Sequence, residues 1–213
     1  MNSLAVSLAD EMAALVARLQ RSLVVLHNGR AGVGAGVIWK RDGLVVTNHH
    51  VVAAHRGRSG NRDLRVELFD GRVYPARVVS QDEEIDLALL QVDGAFKDEQ
   101  NQELPEVQIA DVADLRIGEM VMAIGHPWGQ RGMVTLGLVS GIFSAKTQGR
   151  RGQVEIIRSD ARLAPGNSGG PLVDASGRVV GLNTLIIGGD QGMAISGQVI
   201  NSFVEQSGKV LEQ

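Results

Sequence analysis

The sequence predicts an all-β protein in two halves, each a sandwich or a barrel. Three observations carry this. Short runs of Val, Ile and Leu recur between residues 23 and 195, divided by glycine turns. They do not alternate with helical patterns, so βαβ units are not expected. A polar stretch near residues 94–104 (Gly-Ala-Phe-Lys-Asp-Glu-Gln-Asn-Gln-Glu-Leu) reads as a connector. The expected halves are 1–97, a helix and the first strand set, and 98–213, the second set and a last helix. Aromatic residues make up only 3% of the 213, so Val, Ile, Leu, Ala and Met must build the core.

The first element is a helix from Ser7 to about Leu19. Met12, Leu15, Val16 and Leu19 share one face, Ser7 is the expected N-cap, and Asp10 and Glu11 suit a first turn. Six β runs follow: Leu23–Leu26, Gly36–Trp39, Leu44–Thr47, Leu64–Phe69, Val73–Val79 and Ile85–Val92. Arg41-Asp42-Gly43 and Asp70-Gly71 are expected hairpin turns. Seven more runs come after the connector: Glu106–Ile109, Met120–Ile124, Val134–Phe143, Val154–Ser159, Pro171–Val173, Val179–Leu185 and Met193–Ile195. A closing helix, about Val199 to Gln206, puts Val199, Ile200, Phe203 and Val204 on one side and is expected to stop at Gly208.

Composition excludes several function classes. A net charge of −3 offers no reason to expect nucleic acid or an anionic membrane as partner. There is no cysteine, hence no disulfide and no thiolate metal site. No apolar run has the roughly 18 residues a membrane span needs. The N-terminus lacks the basic start of a secretory signal. The expected location is the cytoplasm if the chain is full length and the cell envelope if it is a fragment.

One stretch concentrates the chemistry: Asp160-Ala-Arg-Leu-Ala-Pro-Gly-Asn-Ser168-Gly-Gly-Pro171. Glycines on both sides of Ser168 let a ligand approach the main chain and aim N–H groups beside the hydroxyl. Acyl transfer needs that combination. Two other stretches supply partners. Thr47-Asn48-His49-His50 is expected to end a strand, where alternation would send only one histidine into a cleft. Asp86 opens an apolar strand, and a buried carboxylate needs partners such as an imidazole N–H. His50, Asp86 and Ser168 are the parts of a nucleophilic triad.

Competing motifs fail. Gly166-Asn-Ser168-Gly-Gly170 also matches a Gly-x-Ser-x-Gly elbow, but that fold needs a histidine after the serine, and none follows Ser168. Zinc on His49, His50 and His55 lacks a supporting spacing. Gly32-Val-Gly34-Ala-Gly36 lacks the dinucleotide pattern. The basic stretch His55-Arg-Gly-Arg58 to Arg65 has no interleaved aromatics and reads as a solvated loop. His126 reads as shaping a turn with Pro127 and Trp128.

Taken together, the motifs resemble the trypsin-like (chymotrypsin-fold) serine proteases, specifically the HtrA/DegP branch. Gly34-Ala-Gly36-Val-Ile, Thr47-Asn-His-His50-Val-Val and Asp86-Leu-Ala-Leu-Leu match its first half. Ala123-Ile-Gly-His-Pro-Trp-Gly129, Thr135-Leu-Gly-Leu-Val-Ser-Gly141, Pro165-Gly-Asn-Ser168-Gly-Gly-Pro-Leu-Val and Val179-Val-Gly-Leu-Asn-Thr184 match its second. The resemblance implies two six-stranded antiparallel β-barrels with the active site in the cleft between them, and short terminal helices. It implies a serine endopeptidase with no cofactor and no metal, acting on unfolded or extended polypeptides in protein quality control, as a homotrimer. The alternative is a catalytically silent module that holds extended peptides in the same cleft.

By this resemblance His50 is the base, Asp86 its orienting carboxylate and Ser168 the nucleophile. The Gly166-Asn167-Ser168 backbone forms the oxyanion hole, with donors from Gly166 and Ser168. Leu163 and Ile186 line a pocket for small aliphatic side chains, and Thr184, Leu185 and Ile186 pair with substrate. Asn167 carries no charge to receive a new N-terminal ammonium, so loop ordering is the expected switch. Ala35 and Ala164 stand where the family usually has serine and asparagine. Arg162 falls at the pocket base and is expected to point to solvent.

Overall fold

The structure, a computed structural model, describes residues 4–28, 33–53, 64–93, 104–147, 149, 152–187 and 191–211. The first half holds β1 (Leu23–Asn28), β2 (Val33–Lys40), β3 (Leu44–Thr47), β4 (Leu64–Glu67), β5 (Val73–Asp82) and β6 (Leu87–Val92). They close a barrel in the order β1-β2-β3-β6-β5-β4. The second half holds β7 (Met120–Gly125), β8 (Met133–Lys146), β9 (Gln153–Ser159), β10 (Pro171–Asp174), β11 (Val179–Ile187) and β12 (Gln191–Ser196). These close a second barrel, β10-β11-β12-β9-β8-β7. Every strand pair is antiparallel. Among the described residues there are three α-helices, α1 (Leu4–Gln20), α2 (His49–Ala53) and α3 (Gly197–Leu211), and two short 3-10 turns, Val112–Asp114 and Pro127–Gly129.

Alternation along the strands builds two kinds of core at once. Ala88, Leu90 and Val92 of β6 fill the first barrel with Val24, Leu26, Ile38 and Val45. The intervening Leu87 and Leu89 face the other way, into a cluster shared with Ile156, Leu182 and Ile195 of the second barrel. Apolar demand on both faces is why Leu87–Leu90 reads as one unbroken hydrophobic run. Ile200, Phe203 and Val204 of α3 pack into that same shared cluster. Burying each such large side chain contributes about 1.5–3 kcal/mol. The second barrel is filled by smaller residues, among them Ala110, Ala123, Ala161 and Ala194. A fourth cluster seats Leu15, Val16 and Leu19 of α1 against Met122, Ile124 and Val173.

The structure corrects several sequence expectations. Helix α1 begins at Leu4, so Ser7 lies inside it and approaches Glu11 instead of capping the helix. The expected strand Glu106–Ile109 joins neither barrel and makes only an isolated bridge from Ile109 to Val179. Its backbone bonds are divided between Ile38 of one barrel and Val179 of the other, so it straddles the two. The two histidines sit on α2 and not on a strand. Gly208 does not stop α3, which runs on to Leu211. A helical glycine costs about 1 kcal/mol, less than the packing of the apolar face returns. The expected connector at 94–104, and with it the boundary at 97, lies almost wholly outside the described residues.

His126 ties the barrels together. It is 1% exposed, yet both ring nitrogens have partners. Nε2 donates to the Val24 carbonyl of β1 at 3.1 Å, and Nδ1 accepts the Gly132 N–H at 3.2 Å. Burial, aided by Arg131 and His27 and opposed by the Val24 bond and Glu67, pushes its pKa from 6.5 down to about 4. Below pH 6.5 an unfolded chain takes up a proton that the folded chain refuses. Stability should therefore be full above that pH and fall as pH drops toward 4, by about 3 kcal/mol in all. Urea midpoints at pH 7.5 and 4.5 are expected to differ more in the wild type than in His126→Asn. Equal pH slopes in the two proteins would contradict the assignment.

Candidate active site

Strand β3 ends at Thr47, and α2 begins two residues later. A helix turns about 100° per residue, so its neighbouring side chains diverge. His49 is buried at 8% exposure, whereas the side chain of His50 is 46% exposed. The divergence expected from strand alternation is present, but helical rotation causes it.

Asp86 lies in the turn before β6, with its backbone left-handed at φ 53°. That conformation costs a non-glycine residue about 1 kcal/mol. The surroundings hold it in place. The Asp86 carbonyl accepts from His49 N–H at 3.1 Å and from Asn48 Nδ2 at 3.0 Å. Its carboxylate accepts from His50 N–H at 2.9 Å, and His50 Nδ1 sits 3.0 and 2.8 Å from the two oxygens. Thr184 Oγ1 donates to Oδ2 at 2.5 Å. Burial raises the Asp86 carboxyl pKa, but the bonds from His50 and Thr184 outweigh it, and the net value lies below the ordinary one. An ionised carboxylate accepts only, so Nδ1 carries a proton toward it, and in the neutral ring Nε2 is then the acceptor.

Ser168 sits on a turn that glycine makes possible. Gly166 and Gly169 adopt φ of 106° and 81°. A Cβ on Gly169 would lie 2.1 Å from the Ala35 carbonyl oxygen and 2.4 Å from Thr47 Oγ1. The first barrel therefore presses directly against the serine turn, and Ala35 N–H donates to the Ser168 carbonyl at 3.0 Å. Ser168 Oγ donates to the Thr184 carbonyl at 3.2 Å. Among the described residues no hydrogen bond joins Ser168 to His50. Thr184 is the link: its hydroxyl holds Asp86 and its carbonyl holds Ser168.

The Gly166-Asn167-Ser168 backbone divides in its roles. Asn167 N–H is committed to the Ala164 carbonyl at 3.0 Å. The N–H groups of Gly166 and Ser168 have no acceptor among the described residues. Leu163 is half-buried against the second barrel, and its Cδ1 lies 2.9 Å from where a Cβ on Gly192 would stand. Arg162 is exposed, as expected. Leu185 and Ile186 pair with Met193 and Gly192 through β11 and β12, while their side chains lie outside the described residues. Among the described residues no group of three His, Cys, Asp or Glu could hold a metal, and His55 lies outside them.

Sequence reasoning missed the Thr184 hydroxyl as a partner of Asp86 and missed Gly192 opposite Leu163. No local pattern marks either, because Thr184 and Asp86 are 98 residues apart and Leu163 lies in the β9–β10 loop while Gly192 lies on β12. Thr184→Val is expected to lower kcat about tenfold and leave KM within about threefold, since a hydrogen bond to a charged group contributes about 1.5–3 kcal/mol. Steady-state kinetics on a peptide substrate checks this.

Residues 34–182 match the trypsin-like peptidase domain family. Protease Do-like 1, chloroplastic, of Arabidopsis thaliana is 40% identical over 158 residues, covering 73% of this chain and 33% of that protein. Serine protease HTRA1B of Danio rerio is 40% identical over 177 residues, with 82% and 34% covered. Serine protease HTRA3 of Homo sapiens is 35% identical over 178 residues, with 81% and 37% covered. The chain thus spans about a third of the length of these relatives. The solved structure of an HtrA-type protease, AlgW, with a tripeptide superposes with a TM-score of 0.75 at 31% identity, covering 91% of this chain and 62% of that one. Among the described residues no helix is long and apolar enough to cross a membrane. Barrel topology, the matched span and these relatives agree that the chain belongs to the trypsin-like peptidase family, in its HtrA/DegP branch.

Proposed function

We propose that this chain is a serine endopeptidase that hydrolyses unfolded or extended polypeptides through an acyl-enzyme, in the service of protein quality control. One observation carries the reading: a hydrogen-bonded path runs from His50 through Asp86 and Thr184 to Ser168. The relatives named serine proteases support the same class. The chain's own residues divide the work. Substrate pairs as an added strand along the Thr184–Ile186 backbone, with a small aliphatic side chain beside Leu163 and Gly192. A substrate N–H arriving at the Thr184 carbonyl competes with Ser168 Oγ for that acceptor. The hydroxyl then turns to His50 Nε2, which takes its proton as Oγ attacks the carbonyl carbon. Gly166 and Ser168 N–H groups receive the oxyanion. His50 returns the proton to the leaving amine, and water repeats the sequence to free the acid. Association of three chains is the expected assembly, and sedimentation at a trimer mass would support it.

The direct test is labelling with a fluorophosphonate in the presence of denatured casein. An adduct on Ser168 is expected. His50→Ala should lower turnover by about 10⁴-fold or more, and His49→Ala by far less. No adduct under any condition would favour the silent peptide-holding module. A larger effect from His49→Ala would mean the base is misassigned.

A further inference from the structure

The loop between β7 and β8 touches the serine turn from one side and the first barrel from the other. His126 N–H donates to the Gly166 carbonyl at 2.9 Å, and Trp128 N–H donates to the Pro165 carbonyl at 3.0 Å. The fit is close: a Cβ on Gly166 would stand 2.2 Å from the His126 carbonyl oxygen. Three side-chain bonds fasten the loop elsewhere. His126 Nε2 reaches Val24 of β1, and Gln20 Nε2 of α1 reaches the Gly132 carbonyl at 2.7 Å. Arg131 pairs with buried Glu67 of β4, whose other oxygen meets His27 Nε2 of β1 at 2.5 Å. Arg131, Glu67 and His27 are the charged or titratable groups that act on the His126 ring. The ring also closes the loop on itself, because Nδ1 accepts the Gly132 N–H. A carbonyl only accepts, so Nε2 must carry the proton and Nδ1 must be bare. A protonated ring would set an N–H against the Gly132 N–H.

We propose that His126 is a positioning residue: its neutral ring pins the 126–132 loop to the first barrel and closes it, and the loop holds the Pro165–Gly166 backbone in the shape that oxyanion stabilisation needs. This rests on the serine endopeptidase reading. His126 touches no reacting atom; it acts through Gly166. Loss of an oxyanion donor costs about 10²–10³ in kcat, and a donor turned aside costs toward the lower end.

The test uses the full chain and a peptide with a small aliphatic residue before the scissile bond, assayed where each variant is fully folded by circular dichroism. His126→Ala removes both ring bonds. It should lower kcat about 10²-fold and leave KM within about threefold. His126→Asn puts an amide oxygen where Nδ1 was, keeps an acceptor for Gly132 N–H, and should recover tenfold or more. If the alanine variant does not fold, His126→Met fills the volume without either bond and should show the same loss of kcat. Folded His126→Ala or His126→Met with kcat within threefold of wild type would overturn the proposal, as would a loss lying wholly in KM. A wild-type chain that neither hydrolyses the peptide nor takes a fluorophosphonate on Ser168 would instead sink the endopeptidase reading beneath it.

Discussion

Purified Ser168→Ala protein is expected to cleave denatured casein at least about 10⁴-fold more slowly than the wild type and to unfold within a few degrees of it. Both halves follow from the same contact. Ser168 Oγ makes one hydrogen bond, to the Thr184 carbonyl, from a half-buried position. Removing one such bond costs about 0.5–1.5 kcal/mol, a small shift in unfolding temperature for a chain of this size. The turn itself survives, because the Ser168 carbonyl, Gly169 and Gly170 keep their backbone partners. Catalysis is expected to be lost, since among the described residues no other hydroxyl bonds the Thr184 carbonyl. Cleavage at the wild-type rate by rigorously purified Ser168→Ala protein would overturn the mechanism.

Asp86→Asn should cost nearly as much, about 10⁴-fold in kcat, with the fold intact. Asparagine tolerates the left-handed backbone that Asp86 adopts, so the turn before β6 can persist. The chemistry cannot. Asp86 accepts every bond it makes through its carboxylate: from His50 N–H, from the ring Nδ1–H and from the Thr184 hydroxyl. An amide offers one oxygen to all of them and turns an NH₂ toward the rest. Facing that NH₂, the imidazole gives up its Nδ1 proton and carries one on Nε2, where it can no longer accept from Ser168. kcat within tenfold of wild type would mean the His50 tautomer is not set by this carboxylate. Asp86→Ala is the wrong experiment, because alanine resists φ 53° and would confound activity with folding.

The strands of the barrels were mostly legible, for a reason visible in β6. Residues packed on both faces leave an unbroken apolar run, and such runs stand out against glycine turns. Glu106–Ile109 misled because it has the composition of a strand while its partners are divided between two barrels. Gly208 misled because propensity is a local preference, and the packed face of α3 overrides it. The histidines misled in their element only: side chains diverge on a helix as on a strand, but which of the two is exposed, His50, is set by the rotation of α2.

Ordered motifs and a serine set among glycines pointed to the serine-protease class and put forward His50, Asp86 and Ser168 as its proposed chemical groups, because each chemical role demands a particular residue type. Tertiary structure alone decided how they are joined. Thr184 ties Asp86 to Ser168 across 98 residues of chain, and a buried His126 lies between β1 and the serine turn. Those links depend on two barrels meeting face to face. Contacts made by docking leave no period or spacing in the chain that carries them.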